Sequence, residues 1–259
     1  MKYQIIFVDI DWTILDHNKG DFDYDSINKL IELQKEGLLV FLNTARPYDS
    51  IYHTGLLKLF HPDGIISTNG GVGFIKDKLL YENIIPEDIV KSIEKVANKH
   101  HLVLELSKNK ERHFTNKRNK YVDNYFSIFK EVIPSIKKYD NKGINSILLF
   151  APVKYDEILK NELPKDISLL RFDSHGVDLG YYKNNKGYGV EQVLNYYHID
   201  KNKAIAVGDS YDDIAMFKKV GLSICMGNGT DEAKKEADIT APNIGVSGLK
   251  VVLEEIFGK

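Results

Sequence analysis

The sequence predicts an α/β fold, namely a Rossmann-like parallel-sheet core with an inserted α+β domain. In both terminal parts of the chain, short apolar runs such as Ile5-Ile6-Phe7-Val8 alternate with segments of helical periodicity, which is typical of strands buried on both faces of a parallel sheet. Between residues 84 and 183, short alternating strands mix with helices, as in an α+β domain. We therefore predict a core from residues 1–83 and 184–259 and an inserted domain from residues 84–183.

The first core segment contains start and stop signals for its elements. Gly37 suits the end of a helix, and Pro47 suits the first turn of the next one. Two apolar stretches joined by three polar residues indicate a hairpin. The predicted elements are, in order, a strand over residues 3–8, a helix around 27–33, a strand over 38–42, a helix over 47–60, a strand over 64–67 and a hairpin over 72–75 and 79–81.

The same patterns predict the elements of the other two segments. The inserted domain is predicted to contain helices over residues 87–100 and 154–163 and strands over 102–106, 146–150, 168–172 and 176–181. The final segment is predicted to contain a helix over 186–197, a strand over 204–207, a helix over 212–220, a strand over 222–226 and a helix over 246–257.

Composition narrows the class of protein. The chain has 259 residues, with 35 basic and 37 acidic side chains, and this balance favours neither nucleic acid nor an anionic membrane as a partner. Cys225 is the only cysteine, so no disulfide can form within the chain, and we interpret it as a buried hydrophobic residue. No signal peptide and no apolar stretch of about 18 residues is visible. We therefore expect a soluble, cytoplasmic protein.

Polar residues follow three of the predicted core strands. Asp9 and Asp11 come after the first strand, Thr44 follows the second, and Asp209 follows the strand over residues 204–207. In open α/β sheets, ligands bind just beyond the carboxyl ends of the strands. If these strands are neighbours, the polar side chains meet at one edge of the sheet. Lys186 lies where the chain re-enters the core, and we expect it to join them.

This set of residues suits phosphoryl transfer. Asp9 and Asp11 repel each other, and a bound cation resolves that conflict. Oxygen ligands from carboxylates together with a substrate phosphate suit Mg²⁺. Asp9 could attack phosphorus, while Asp11 could protonate the leaving oxygen and later activate water. Lys186 would neutralise charge on the phosphoryl oxygens, and two further acids, Asp212 and Asp213, would lie in the same crevice.

Four segments together resemble the motifs of the haloacid dehalogenase-like phosphohydrolases. They are Asp9-Ile10-Asp11-Trp12-Thr13, Thr44 within residues 42–47, Lys186-Gly187, and Gly208-Asp209-Ser210-Tyr211-Asp212-Asp213. The chain is most similar to the Cof-type subfamily, which carries a large α/β cap of type C2B between the second and third motifs. The resemblance covers most of both core segments and says little about residues 84–183, which would form the substrate-selecting cap.

The resemblance implies a role for each matching residue. Asp9 would be the nucleophile and a Mg²⁺ ligand, Asp11 the general acid and base whose carbonyl also reaches the metal, and Asp209 the second carboxylate ligand. The remaining positions would be Thr44 and Lys186 on the phosphoryl group, and Asp212 and Asp213 in the outer shell of the metal. Two residues depart from the family pattern, since Trp12 stands where glycine is usual and Asp212 stands where asparagine is usual.

Each signal also has an interpretation without a catalytic role. Asp9 and Asp11 could be exposed loop acids, Thr44 could cap the helix that follows Pro47, and Lys186 could lie in an exposed linker. Asp212 and Asp213 could simply favour a helix N-terminus. The basic segment over residues 108–120 could be a solvated loop or could attract an anionic group of the substrate.

These observations predict a Mg²⁺-dependent phosphatase that hydrolyses small phosphate monoesters, such as sugar phosphates or related metabolites, through an aspartyl-phosphate at Asp9. One alternative is a phosphomutase of the same superfamily, and the other is a catalytically idle homologue used for binding or regulation. We expect a small phosphorylated metabolite as partner, no nucleic acid or membrane partner, and a monomer or homodimer.

Overall fold

The structure, a computed structural model, describes residues 1–129, 132–171 and 174–258. Residue 172, the last of one predicted strand, lies outside these ranges. The strands are, in chain order, β1 (Ile5–Val8), β2 (Leu15–Asp16), β3 (Asp21–Phe22), β4 (Leu39–Asn43), β5 (Gly64–Ser67), β6 (Val72–Ile75), β7 (Lys78–Glu82), β8 (Val103–Lys108), β9 (Glu111–Phe114), β10 (Ser146–Phe150), β11 (Ile167–Arg171), β12 (Val177–Tyr181), β13 (Ala204–Gly208), β14 (Leu222–Cys225) and β15 (Ile239–Thr240).

The α-helices of the same residues are α1 (Tyr24–Lys35), α2 (Tyr48–His53), α3 (Leu56–Leu59), α4 (Glu87–Lys99), α5 (Lys120–Phe129), α6 (Asp156–Glu162), α7 (Lys186–Tyr197), α8 (Ile214–Phe217), α9 (Asp231–Glu236) and α10 (Gly248–Phe257). Short 3-10 turns, including Tyr211–Asp213 and Ile244–Val246, connect several of these elements. Within the described ranges, no helix combines the length and hydrophobicity that a membrane crossing requires.

The chain divides into two compact units. The core unit contains Met1–Ala45, Leu56–Tyr81 and Asn185–Lys259, and the inserted unit contains Arg46–Gly55 and Glu82–Asn184. Helix α2 therefore belongs to the inserted unit, although the boundaries drawn from sequence place it in the core.

The core unit is built on an eight-stranded sheet in the order β15-β14-β13-β1-β4-β5-β6-β7. The pairs from β15 through β5 are parallel, and β6 runs antiparallel to β5. All four residues of β1 are fully buried, because β1 lies near the middle of the sheet. The predicted parallel-sheet core is confirmed.

The register of the central strands fixes where their polar neighbours lie. Val8 pairs with Leu42 of β4 on one side and with Val207 of β13 on the other. Asp9 comes one residue after Val8, and Thr44 and Asp209 each come two residues after their paired positions. All three residues therefore leave the sheet at the same edge, at the carboxyl ends of three adjacent parallel strands.

The inserted unit contains a five-stranded antiparallel sheet in the order β11-β12-β10-β8-β9. Apolar residues of this sheet pack with those of α4 and α6 in one core. The interpretation of the segment over residues 108–120 as a solvated loop is wrong in part, because it includes β9 and the start of α5. Arg112 of β9 is buried, and its Nε donates to Asp49 Oδ2 on α2 at 2.8 Å.

Two predicted helices are shorter in the structure. The helix expected over residues 47–60 is divided into α2 and α3, because Gly55 lies between them with φ +83°, a left-handed conformation that interrupts an α-helix. The helix expected over residues 212–220 consists of the 3-10 turn Tyr211–Asp213 followed by α8, which ends at Phe217. The first correction concerns a break inside a predicted helix, and the second concerns the ends of one.

Gly187 generates a prediction about packing, because it allows α7 to approach α8 closely. A Cβ at this position would lie 2.3 Å from the carbonyl oxygen of Ala215, which is backbone and cannot move aside cheaply. We expect Gly187→Ala to lower the free energy of unfolding by about 1–3 kcal/mol, as overpacking does. Urea denaturation measures this change.

Gly245→Ala is the matched control for that variant. A Cβ at Gly245 has no neighbour within 4 Å, so we expect its free energy of unfolding to change by less than about 0.5 kcal/mol. Equal stabilities of the two variants would contradict the packing argument.

Candidate active site

Lys186 is the central residue of a buried ionic cluster at the sheet edge. Its Nζ donates to Asp9 Oδ1 at 2.8 Å and to Asp213 Oδ1 at 2.6 Å, and it lies 3.0 Å from Asp212 Oδ2. Lys186 is only 1% exposed, so the interpretation of this residue as part of an exposed linker is wrong. Asp9 is also buried, which excludes the interpretation of Asp9 as a solvated loop acid.

Backbone contacts hold Lys186 in this position. The Asn185 side chain accepts a hydrogen bond from the Tyr188 N–H at 2.9 Å and so caps the N-terminus of α7. Asn43, the last residue of β4, donates from Nδ2 to the Lys186 carbonyl at 3.1 Å. Asn43 was not predicted from the sequence as a residue of the site. Its place directly before Thr44 is the signal that could have indicated this contact.

Asp213 connects the cluster to the loop after β13. Its Oδ2 accepts hydrogen bonds from the backbone N–H groups of Asp209 at 2.8 Å and Ser210 at 2.9 Å, while Oδ1 accepts from Lys186. Ser210 and Asp213 form a reciprocal cap, and their spacing in the sequence is the signal for it. Because both oxygens of Asp213 already accept from protein donors, this residue is suited to bracing the site.

Asp212 lies partly open to solvent beside the same lysine. It accepts a hydrogen bond from Ser210 Oγ. Burial alone would raise the pKa of Asp212, but the charge of Lys186 and the Ser210 hydroxyl lower it below its ordinary value. Asp212 is therefore a stable carboxylate, paired with an ammonium group in a position where the family usually has an amide.

Asp209 completes an acidic group that suits a divalent cation. Carboxylate oxygens of Asp9, Asp209 and Asp213 all lie within 4.8 Å of one another. Burial raises the pKa of Asp209 to about 8, with a further contribution from Asp213, and burial also holds the pKa of Asp9 well above its ordinary range. Raised pKa values of clustered buried carboxyls mean that their negative charge is not fully compensated by protein groups.

Lys186 provides only part of the compensating charge. Burial alone would lower its pKa, but Asp212, Asp213 and Asp9 outweigh burial and raise it well above its ordinary value. Lys186 is therefore a permanent ammonium group. With Asp209, the cluster contains four carboxyl groups against one ammonium group, so the residues present fit a hard divalent cation with oxygen ligands, such as Mg²⁺.

Thr44 is buried at the end of β4 and is held by backbone contacts. Its N–H donates to the Ile66 carbonyl at 2.9 Å, and its carbonyl accepts from the Asn69 N–H at 3.0 Å. The interpretation of Thr44 as a helix cap is wrong, because the residue preceding α2 is Pro47 and no side chain caps that helix. The strand register instead places Thr44 beside Asp9 at the sheet edge.

Asp11 lies outside the lysine cluster, in the loop after β1. Its side chain is 31% exposed, and its Oδ1 is 2.6 Å from His17 Nε2. His17 was not predicted from the sequence as a site residue, because no motif or periodic pattern includes it. Asp11 still raises the pKa of Asp209, which indicates that the two carboxyl groups influence each other.

Trp12 has an unusual backbone conformation. Its φ is +58°, in the left-handed region, which costs a non-glycine residue about 1–2 kcal/mol. Glycine adopts this conformation without that cost, which fits the glycine that the family resemblance leads us to expect at this position. The Trp12 ring packs against the His17 ring with centroids 5.1 Å apart, and such ring pairs contribute about 0.5–1.5 kcal/mol. The Trp12 carbonyl also accepts from Asn228 Nδ2 at 2.8 Å.

Two further predictions from sequence can be checked in the structure. Cys225 is fully buried at the end of β14, which confirms its interpretation as a hydrophobic residue, and burial raises the pKa of its thiol to about 12. Charges of the basic segment over residues 108–120 contact acids of the inserted unit. Lys108 pairs with Asp140 at 3.3 Å and Arg118 pairs with Asp123 at 3.3 Å, which weakens the interpretation of this segment as an anion site.

Comparison with known proteins provides an independent observation. A family model described as haloacid dehalogenase-like hydrolase matches residues 6–253. The putative phosphatase YkrA of Bacillus subtilis is 26% identical over 260 residues, which cover 99% of this chain and 98% of that protein. Phosphoglycolate phosphatase 1 of Saccharolobus solfataricus is 24% identical, over 98% of this chain and 96% of its own length.

Solved structures show the same fold. BT4131, described as a HAD subclass IIB sugar phosphatase, has a TM-score of 0.85 to this chain at 21% identity, with 98% of this chain and 99% of that chain covered. TM0651 from Thermotoga maritima has a TM-score of 0.86 at 19% identity, with 98% and 97% covered.

The raised pKa of Asp209 generates a prediction about pH. In the folded, metal-free protein its pKa is about 8, against an ordinary value of 3.8. Between these values the folded state holds a proton that the unfolded state lacks, so this residue makes the metal-free protein less stable as pH rises from about 4 to 8. A cation must displace that proton, and we therefore expect Mg²⁺ to bind more weakly as pH falls from 8 to 6.

Thermal unfolding with and without Mg²⁺ at pH 6, 7 and 8 measures this effect. The stabilisation by a fixed Mg²⁺ concentration should grow with pH. Asp209→Asn should remove most of that stabilisation, whereas Asp238→Asn, outside the cluster, should retain it. A Mg²⁺ effect that is equal at pH 6 and pH 8 would contradict the prediction.

Proposed function

This chain belongs to the haloacid dehalogenase-like hydrolases as a Cof-type phosphohydrolase, and we propose that it hydrolyses small phosphate monoesters through an aspartyl-phosphate at Asp9. One observation carries the proposal: within a buried acidic cluster, the Lys186 ammonium group contacts the carboxylate of Asp9 at 2.8 Å. This contact supports the proposal because a positive charge next to Asp9 would also lie next to the phosphoryl group bonded to it, whose oxygens carry the negative charge that phosphoryl transfer has to stabilise.

The proposed reaction has two steps. In the first, a carboxylate oxygen of Asp9 bonds to phosphorus, the bond from phosphorus to the leaving oxygen breaks, and Asp11 donates a proton to that oxygen. In the second, Asp11 takes a proton from water as the water oxygen attacks phosphorus, which releases phosphate and regenerates Asp9. The partial exposure of Asp11 supports this role, because the residue must reach both the leaving group and water.

Other residues of the site would hold the cation and the phosphoryl group. The carboxylates of Asp9 and Asp209 and the carbonyl of Asp11 would bind Mg²⁺, and Asp212 and Asp213 would act from its outer shell. When bound, the cation neutralises charge on the phosphoryl oxygens. The remaining phosphoryl contacts would come from Thr44 and Lys186, which the strand register and the ionic cluster place at the same edge of the sheet.

The names of the relatives support a class of substrate. They include a phosphoglycolate phosphatase and a sugar phosphatase, which act on small phosphorylated metabolites. We propose the same class for this chain and assign selection of the leaving group to residues 84–183, as the resemblance implies. We keep the predictions of a cytoplasmic monomer or homodimer with no nucleic acid or membrane partner. The near-balanced charge supports the absence of a nucleic acid or membrane partner, and the single buried cysteine supports a reducing compartment.

A panel of phosphorylated metabolites, assayed for free phosphate with Mg²⁺ and with a chelator, tests this proposal. We expect release of phosphate from several small monoesters and loss of activity with the chelator. An isomeric sugar phosphate as the main product would instead support the phosphomutase alternative. A protein that is inert on the whole panel would support the catalytically idle alternative.

Asp9→Asn provides a sharper test of the covalent step. An amide is a poor nucleophile, so we expect kcat to fall by at least about a thousandfold, because the covalent route is lost. Burial raises the pKa of Asp9, and replacing this unfavourable buried charge should leave the thermal stability equal or higher. Asp238→Asn is a control outside the cluster, and substantial activity in Asp9→Asn would exclude Asp9 as the nucleophile.

A further inference from the structure

We propose that His17 is a positioning residue for Asp11, and that it holds the Asp11 carboxyl group in the orientation that delivers a proton to the leaving oxygen. This inference rests on the proposed function, in which Asp11 is the general acid. It extends the site by a residue that belongs to none of the four motifs.

The contact between the two side chains is short and local. His17 Nε2 lies 2.6 Å from Asp11 Oδ1, which is within the range of a strong hydrogen bond. A carboxylate can only accept, and the unprotonated oxygen of a carboxylic acid also accepts, so His17 can donate from Nε2 to Oδ1 both when Asp11 is ionised and when its Oδ2 carries the proton to be delivered. The exposed fractions are 20% for the His17 side chain and 31% for that of Asp11, so the pair lies at a surface that water and a leaving group can reach.

The backbone around His17 is fixed by its own hydrogen bonds. Asp16, the last residue of β2, is buried, and its Oδ1 accepts from the Asn18 N–H at 2.9 Å. The Gly20 N–H donates to the Asp16 carbonyl at 2.7 Å and closes the turn that contains His17. The turn leads into β3, which pairs with β2. His17 therefore projects from a closed turn, which gives it a defined position relative to Asp11.

The Trp12 ring packs against the His17 ring. The two ring centroids are 5.1 Å apart at an interplanar angle of 52°. The Trp12 backbone is held in turn by Asn228, whose Oδ1 accepts from the Ile244 N–H at 2.9 Å. The departure from glycine at position 12 thus provides an aromatic surface for His17, and Trp12, His17 and Asp11 form one continuous series of contacts.

Orientation matters because Asp11 has to act at a specific oxygen. A general acid contributes about 10²–10⁴-fold when it is correctly placed, and small displacements remove much of that effect. The other acids of the site are fixed by burial and by Lys186, whereas Asp11 is partly exposed and lies outside that cluster. The hydrogen bond with His17 in the neighbouring turn therefore helps to orient the Asp11 carboxyl group.

The experiment compares two substrates with different leaving groups, and this comparison separates a positioning role of His17 from a structural one. A p-nitrophenolate leaves as a stable anion and needs little protonation, whereas an aliphatic alkoxide needs a proton. We measure kcat/KM with p-nitrophenyl phosphate and with the best aliphatic phosphate monoester of the metabolite panel. kcat/KM reports the steps up to the release of the leaving group, which include proton donation by Asp11.

Two variants of His17 have opposite properties. His17→Phe keeps a ring against Trp12 and removes the donor, and His17→Gln removes the ring and keeps an N–H donor at a similar reach. We expect His17→Phe to lower kcat/KM by about tenfold or more for the aliphatic ester and by at most about threefold for p-nitrophenyl phosphate. His17→Gln should stay within about threefold of the wild type for both substrates.

Other outcomes overturn the inference. Equal losses for both substrates in His17→Phe would mean a structural role, and unchanged kinetics would mean no role. If His17→Phe does not fold, as judged by circular dichroism, His17→Asn replaces it, because its shorter side chain does not reach Asp11. A wild-type protein without activity on any phosphate monoester would overturn the proposed function itself. If the wild-type enzyme is active but the His17 variants show no dependence on the leaving group, only the role of His17 is overturned.

Discussion

The ion contacts of Lys186 are the interaction on which the site depends. One buried ammonium group contacts Asp9, Asp212 and Asp213, and these acids come from two segments far apart in the chain. Removing the ammonium group from this cluster would cost about 3–5 kcal/mol, because the acids would stay buried without compensation. The backbone that carries Lys186 is correspondingly well fixed, by Asn185 at the start of α7, by Asn43 of β4 and by the close approach that Gly187 permits.

The acids around this lysine divide the work of the site. Asp213 is completely buried and accepts from Lys186 and from two backbone N–H groups, so it fixes the loop after β13. Burial raises the pKa of Asp213 too, but it raises that of Asp209 to about 8 and that of Asp9 well above its ordinary range, so the protein leaves part of the charge of Asp9 and Asp209 uncompensated. A divalent cation is the natural partner for those two groups. Neighbouring carboxylates therefore have different roles in this site: Asp213 fixes the loop after β13, and Asp9 and Asp209 are available to bind a cation.

Several of the predicted site residues lie together in the structure, and the sequence could indicate this because strand ends are simple to locate. A buried parallel strand is a continuous apolar run, so the residue after it is visible, and β1, β4 and β13 are adjacent in the sheet. Features that depend on contacts between side chains were harder to predict from the sequence. The break at Gly55 depends on its positive φ. The burial of Arg112 depends on an acid from α2. The pairing of His17 with Asp11 depends on the turn between β2 and β3. None of these follows from the periodicity of one segment.

This difference explains why the motifs identify a reaction class but no single substrate. The phosphoryl group would meet the buried cluster, whose geometry depends on strand register and on Lys186 at the start of α7, and both belong to the core unit. The leaving group would instead meet Asp11 and residues of variable segments, where position 12 already departs from the family pattern. Asp11 contacts His17, in the turn between β2 and β3, and its side chain is 31% exposed. Proton delivery to the leaving oxygen is therefore the step at which this chain is most free to differ from its relatives.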